Sequence, residues 1–258
     1  MKTTSAKGAK TQRQATGAAQ DPRARANEVL AELQALGAPS IKKVLLNHGI
    51  PEPLFGVRVG DMKPIQKRIK TDYALALALY DTGNHDARYL AGLIADDARM
   101  TKADLQHWVD TANSGALASS TVPWVAAGSP HGFELAIAWI ESDSELTAAA
   151  GWSTLSSIVS VREDTDLDLA RLKALLARVR RSIHTSPNEV RSAMNGFVIA
   201  VGAWVAPLRD AALETAQAIG RVQVDVGKTS CQVPFAPERI RAAIERQPIV
   251  KKRKTAKC

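Results

Sequence analysis

YALALALYDTGNHDARYLAGLIADDARMTKADLQHWVDTA (residues 73–112) decides the fold. Tyr73–Tyr80 is an apolar helical run that stops before Thr82-Gly83-Asn84, a turn signal. Asp86–Ala95 resumes the pattern. Thr101 then sits where a helix needs a side-chain acceptor, with Asp104 three residues on as its capping-box acid, and Lys102–Ala112 follows. Helix, short break and helix repeat here with no strand between them.

The same grammar extends both ways. Ala24–Leu36 places Val29, Leu30, Leu33 and Leu36 on one face and stops at Gly37. Ser40 caps Ile41–Asn47, and Pro64–Lys70 starts on a proline suited to a first turn. Downstream, helices are expected at Ala116–Ala127, Gly132–Glu141, Ser144–Ala150, Trp152–Val161, Asp166–Ile183, Pro187–Val201, Pro207–Ile219 and Pro237–Glu245, with Gly115, Gly128 and Gly151 as punctuation. Only Arg221–Val226 alternates like a strand, and a lone strand has no sheet to join, so a loop or small hairpin is expected there. The fold class is all-α. Helix pairs recurring every 35–45 residues favour an armadillo- or HEAT-like helical-repeat solenoid, a curved stack of antiparallel helix pairs, over a globular bundle.

The chain has 258 residues, 45% of them hydrophobic, which suffices for one substantial core. Three parts are expected: a disordered basic tail over 1–22, the solenoid over 23–247 and a disordered basic tail over 248–258. The two cysteines, Cys231 and Cys258, exclude a disulfide framework and argue against a cysteine-built zinc site. No apolar run approaches the ~20 residues of a membrane span, and residues 1–22 lack a secretory leader's apolar stretch. A bacterial cytoplasmic, nucleoid-associated monomer is the expectation.

The net charge of +8 is unevenly spread. Residues 1–25 and 251–258 each carry +5, which leaves the body near neutral at −2. Within the body, residues 42–70 and 171–191 are each +5, and residues 71–170 are −11. Two cationic blocks flanking an acidic one would straddle a duplex if both lined one concave face. The DNA-binding candidates are Lys42, Lys43, Lys63, Lys67, Lys70, Arg178, Arg181 and Arg191, with Lys63, Lys67 and Lys70 near one helix face. Solvated outer faces are the alternative for such blocks. Trp124, Trp152 and Phe197 are candidate aromatic contacts for nucleic acid, against a core role for most aromatics in so aromatic-poor a chain.

Catalytic signatures are sparse. The five histidines have no metal-ligand spacing, and no Walker loop, HExxH or Gly-x-Ser-x-Gly is present. Gly56-Val57-Arg58-Val59-Gly60 lies between helices rather than after a strand. No metal and no cofactor are expected.

Phe55-Gly56-Val57-Arg58-Val59-Gly60-Asp61-Met62-Lys63-Pro64-Ile65, the helix series from Ala76 to Trp108, and Val224–Pro234 together resemble the DNA alkylation repair family. These are HEAT-like-repeat proteins related to bacterial alkylpurine DNA glycosylases, and the likeness runs over about residues 28–245. It implies DNA, duplex, damaged or branched, as the partner. Glycosylases of the family carry a Trp-Asp-Thr-Val-Asp-like stretch whose aromatic and final carboxylate face the damaged nucleotide. That stretch resembles Ser119–Pro123 here, so Ser119 and Pro123 would stand at the aromatic and the carboxylate, and Phe197 at a second tryptophan. An arginine of the family has no counterpart in Trp152–Leu155. Stabilising a developing oxocarbenium and positioning a water both call for a carboxylate, and losing such a group typically costs about 2.7–4 kcal/mol of barrier. Trp124 offers an aromatic nearby, and Asp110 and Glu134 are the carboxylates to consider instead. The expectation is a DNA-binding protein with base excision weak or lost. An active N3/N7-alkylpurine glycosylase with rearranged residues and a protein-interaction solenoid are the alternatives.

Overall fold

The computed structural model describes residues 21–258, and most of the expected N-terminal tail falls outside that range. Thirteen α-helices follow one another: α1 Pro22–Leu36, α2 Pro39–Asn47, α3 Val59–Ile69, α4 Tyr73–Asp81, α5 His85–Ile94, α6 Lys102–Thr111, α7 Val122–Gly128, α8 Gly132–Trp139, α9 Glu145–Val161, α10 Leu169–Ser182, α11 Asn188–Trp204, α12 Arg209–Ile219 and α13 Ala236–Arg246. No strand occurs among the described residues, and 221–235 is irregular, apart from bends. Among the described residues no single helix is long and apolar enough to cross a membrane.

From α4 onward the helices pair antiparallel, as α4/α5, α6/α7, α8/α9, α10/α11 and α12/α13. The even-numbered members form an outer layer, in which α10 packs on α12. The odd-numbered members form an inner layer, in which α7 packs on α9 and α9 on α11. The first helices of successive pairs begin at Tyr73, Lys102, Gly132, Leu169 and Arg209, a spacing that starts shorter than 35–45 residues and grows into that range. The core passes along the stack. One apolar cluster runs from Ala26 to Ala150, and a second takes over at Ala136 and continues to Ile240. This handing-on of the core is the HEAT-like solenoid that the helix pattern favours.

Local chemistry sets the helix ends. Thr101 and Asp104 form the full capping box of α6, and Asn84 accepts from the N–H groups of Asp86 and Ala87 to start α5. Several expected boundaries fall elsewhere. Ser40 does not cap α2, which starts at Pro39, and Pro64 lies inside α3, which starts at Val59. Gly151 does not break a helix, because α9 runs straight through it. A Cβ there would lie 2.7 Å from Ile140 and 2.9 Å from the Ala136 carbonyl, so glycine is what lets α9 close on α8. Ala116–Ala127 is not one regular helix either. Pro123 has no N–H to donate, and the chain widens into a π turn over Leu117–Thr121 before α7 begins.

A buried carboxylate ties the first repeats together. Asp86, 1% exposed, accepts the N–H groups of Phe55 (2.6 Å), Val57 (2.9 Å) and Gly56 (3.1 Å). Gly56 meets this demand with φ +82°, a conformation that favours glycine. The Phe55–Val57 loop is thus held as a nest around one acid from α5. Replacing Asp86 by Ala strands three donors and should destabilise the fold by on the order of 3 kcal/mol. Urea denaturation should register that loss, whereas Asp61→Ala on the exposed face of α3 should leave the midpoint within error.

Candidate nucleic-acid interface

The inner layer opens onto a cavity of about 360 Å³. Its floor follows from small side chains at helical spacing. On α9, Ser153, Ser156, Ser157 and Ser160 fall at i, i+3, i+4 and i+7, and on α11 Ser192 and Gly196 fall one turn apart. Ser119 and Trp124 line it from the π turn and α7, and Trp204 from the end of α11. The hydroxyls of Ser156 and Ser160 donate back to the carbonyls of Trp152 (2.9 Å) and Ser157 (2.7 Å). Ser156 and Ser157 are partly exposed on this floor, Ser153 and Ser160 are buried, and Trp124, Trp204 and Arg253 complete the lining. The serine face is legible in the sequence as an i, i+3, i+4, i+7 set, although neither charge nor aromaticity marks it.

Trp124 is half-buried, with its ring edge-on to Tyr89 (centroids 5.5 Å apart, planes at 84°). The Tyr89 hydroxyl is pushed up to about 12, by burial first and by the adjacent Cys258 second. Trp152 and Phe197 do not join Trp124. Both are fully buried and pack on each other at 5.2 Å, because they face the core between α9 and α11. Neither is free to stack on a base.

The π turn also re-registers the expected catalytic stretch. Ser119 lines the cavity, but Pro123 is buried within α7. Gly115, four residues before Ser119, packs against Glu189, which lines the cavity. A Cβ on Gly115 would lie 2.5 Å from the Glu189 carboxylate, so Glu189 fills the space that a side chain would take. Asp110 and Glu134 are elsewhere: Asp110 accepts from Gln106 and Glu134 pairs with Lys102 at 2.6 Å, both exposed. Glu189 is the carboxylate at the cavity. Burial raises its pKa, the Asn188 side chain opposes the rise, and the neighbouring Glu145 adds to it. It also lines an adjoining cavity of about 650 Å³ between the end of α2 (Asn47, His48) and the 224–231 loop.

The basic candidates divide. Lys63 and Lys67 on α3, and Lys70 just past it, are exposed. Lys43 on α2 is exposed, and Lys42 is paired with Glu52 at 2.7 Å. Arg178 and Arg181 do not share the inner face. They sit on the outer-layer helix α10, beside a different cavity that touches Asp143 and Glu145. Arg178 is occupied by Glu141 and by the Ile140 carbonyl (3.1 Å), with its guanidinium 5.7 Å over Trp152. Arg191 is partly buried on α11, its nearest hydrogen bond a long one to Asn188 (3.5 Å). No group of three or more His, Cys, Asp or Glu side chains gathers as a metal site among the described residues.

The raised pKa of Glu189 has a stability consequence. Its neutral form is the one the fold favours, so its contribution is greatest in acid and is lost as pH rises through its shifted value. Glu189→Gln should therefore raise the melting temperature at pH 7, and the gain should vanish towards pH 4. A thermal-melt series across that range checks it.

Comparison with known proteins agrees with this architecture. The family model described as DNA alkylation repair enzyme matches residues 29–245. Two relatives are the uncharacterized proteins Lin0241 of Listeria innocua, 32% identical, and Lmo0209 of Listeria monocytogenes, 31% identical. Each match covers 83% of this chain and 95% of the relative. A solved structure, 37% identical with a TM-score of 0.82, covers 90% of this chain and 99% of its own. It is described as "A new family of proteins related to the HEAT-like repeat DNA glycosylases with affinity for branched DNA structures". With the helix pairs, the cavity on the inner layer and these matches together, the chain belongs to the DNA alkylation repair enzyme family.

Proposed function

We propose that this protein binds DNA, branched DNA in preference to linear duplex, along the inner layer of its solenoid, and that it excises alkylated bases weakly or not at all. The observation that carries the reading is the likeness to a solved protein with affinity for branched DNA, 37% identical over nearly its whole length. The cavity supports it chemically. The accessible hydroxyls of Ser119, Ser156 and Ser157 suit phosphate and sugar, and Trp124 offers one aromatic ring. The exposed Lys63, Lys67, Lys70 and Lys43 supply sequence-independent attraction to phosphates. Lys42, Arg178, Arg181 and Arg191 are weaker candidates, because ion pairing, partial burial or an outer-layer position sets them apart.

The same cavity is poorly equipped for hydrolysis of an N-glycosidic bond. Excision of a cationic alkylpurine needs an anionic group against the developing oxocarbenium and an oriented water. Ser119 carries no charge and Pro123 is buried, so neither supplies the anion. A second reading follows from Glu189, which fills the room above Gly115: an excising enzyme with this carboxylate relocated. Burial works against that role, since it disfavours the carboxylate anion.

Two measurements separate these readings. In gel shifts at low salt, a synthetic four-way junction should bind more tightly than a linear duplex of equal length, with affinity falling steeply as salt rises. Reversing Lys63, Lys67 and Lys70 to Glu should weaken binding and lower the salt slope by about one for each phosphate no longer neutralised. Methylated DNA incubated with the protein should release 3- and 7-methylpurines at the spontaneous rate. Release that is faster, and abolished by Glu189→Gln, would establish the second reading. Absence of binding to any duplex or branched DNA would defeat the first.

A further inference from the structure

The basic C-terminal segment is expected to trail free. It is instead seated on the body. It leaves α13 at Gln247, where the Arg209 guanidinium donates to the carbonyls of Pro248 (2.7 Å) and Gln247 (3.0 Å). It then turns back across the C-terminal ends of the inner helices. The Lys252 side chain is 5% exposed, and its ammonium donates to the Trp204 carbonyl (2.6 Å), the Asp164 carboxylate (2.8 Å) and the Val159 carbonyl (2.9 Å). All three of its donors are used. Val159 and Trp204 belong to the last turns of α9 and α11, where unpaired carbonyls and the helix dipole favour a cation. Lys257 repeats the device two repeats away. Its ammonium donates to the Ala95 carbonyl just past α5 (2.7 Å) and lies 2.8 Å from Asp97. Between these anchors the Arg253 N–H donates to the Ser160 carbonyl (2.8 Å), and Ala256 is buried with Ala127 and Ile158.

Burying an ammonium group is costly unless it is paired, and this segment has two such groups, each with a carboxylate and a carbonyl waiting for it. Arg253 differs from both. It is exposed, has no carboxylate partner among the described residues, and lines the same cavity as Ser157, Trp124 and Trp204. Its one side-chain bond is a long one (3.3 Å) to the Lys257 carbonyl of its own segment.

We propose that residues 251–258 are a strap that completes the cleft, with Lys252 and Lys257 as its anchors and Arg253 as its phosphate-binding group for a DNA strand. The role of Arg253 rests on the DNA-binding reading; the seating of the strap does not.

Two experiments on the full chain test the two halves. Brief acetylation of the native protein with an N-hydroxysuccinimide ester, read by peptide mass spectrometry, should modify Lys252 and Lys257 about ten-fold or more slowly than Lys251 and Lys254. Equal rates at all four would overturn the strap. For Arg253, two variants remove the same charge: Arg253→Ala should weaken binding to the four-way junction by about ten-fold, and Lys254→Ala by less than about two-fold. Both should melt with the unaltered chain. Lys252→Met should both melt earlier and bind less. Equal effects of Arg253→Ala and Lys254→Ala, or tighter binding by Arg253→Ala or Lys252→Met, would overturn the proposed role in a chain that still binds the junction. A chain that binds no DNA overturns that role together with the DNA-binding reading, and the acetylation pattern still decides the strap.

Discussion

The pairing of α9 with α11 governs the rest of this molecule. Trp152 and Phe197 interlock between the two helices, with Leu155, Val159, Val198 and Val201 around them. Gly151 lets α9 close on α8 behind. Once those faces are committed to the core, the rotation of both helices is fixed, and the adjoining face of each must look outward. On α9 that face carries the partly exposed Ser156 and Ser157, with Ser153 and Ser160 more deeply buried, and on α11 it carries Ser192 and Gly196. The cavity is thus a consequence of core packing, and its chemistry is set by which small residues fall a third of a turn from the aromatic pair. A Cβ at Gly196 would meet nothing within 4 Å, so a larger side chain there would leave the pairing intact and still close the surface.

Much of the architecture is legible in the sequence because it is local. Thr101 with Asp104 and the proline at the start of α13 mark their own positions through local backbone chemistry that needs no tertiary partner. The positions that depart from expectation are those where a residue answers to something distant. Gly151 has the look of a stop, but it answers to Ile140 across a helix contact. Pro123 has the look of a catalytic position, but the π turn that accommodates its missing N–H turns it into the core and leaves Ser119 at the surface. Trp152 and Phe197 have the look of ligand contacts because aromatic residues serve both roles, and only packing separates them.

Charge is the least local property of all. Counting Lys and Arg gives two equal cationic blocks, yet partners decide what each charge is for. Arg178 is spent on Glu141 at an outer-layer corner, and Lys42 on Glu52, whereas Lys63 and Lys67 stay exposed. The C-terminal segment inverts the expectation most fully. A run of five basic residues without an acid has the composition of a solvated tail, but Asp164, Asp97 and three helix-end carbonyls, far away in sequence, give two of its lysines seats. Parts of the −11 stretch thereby hold the +5 one.

The central claim is that DNA lies on the inner layer, against α7, α9 and α11. Hydrogen–deuterium exchange of the protein with and without a saturating branched DNA locates the contact directly. Slowed exchange should concentrate on peptides covering the π turn and α7, the Ser153–Ser160 face of α9 and the first half of α11, with α10 unchanged. Protection confined to α10 and the outer layer, with the inner helices exchanging as in the free protein, would contradict it.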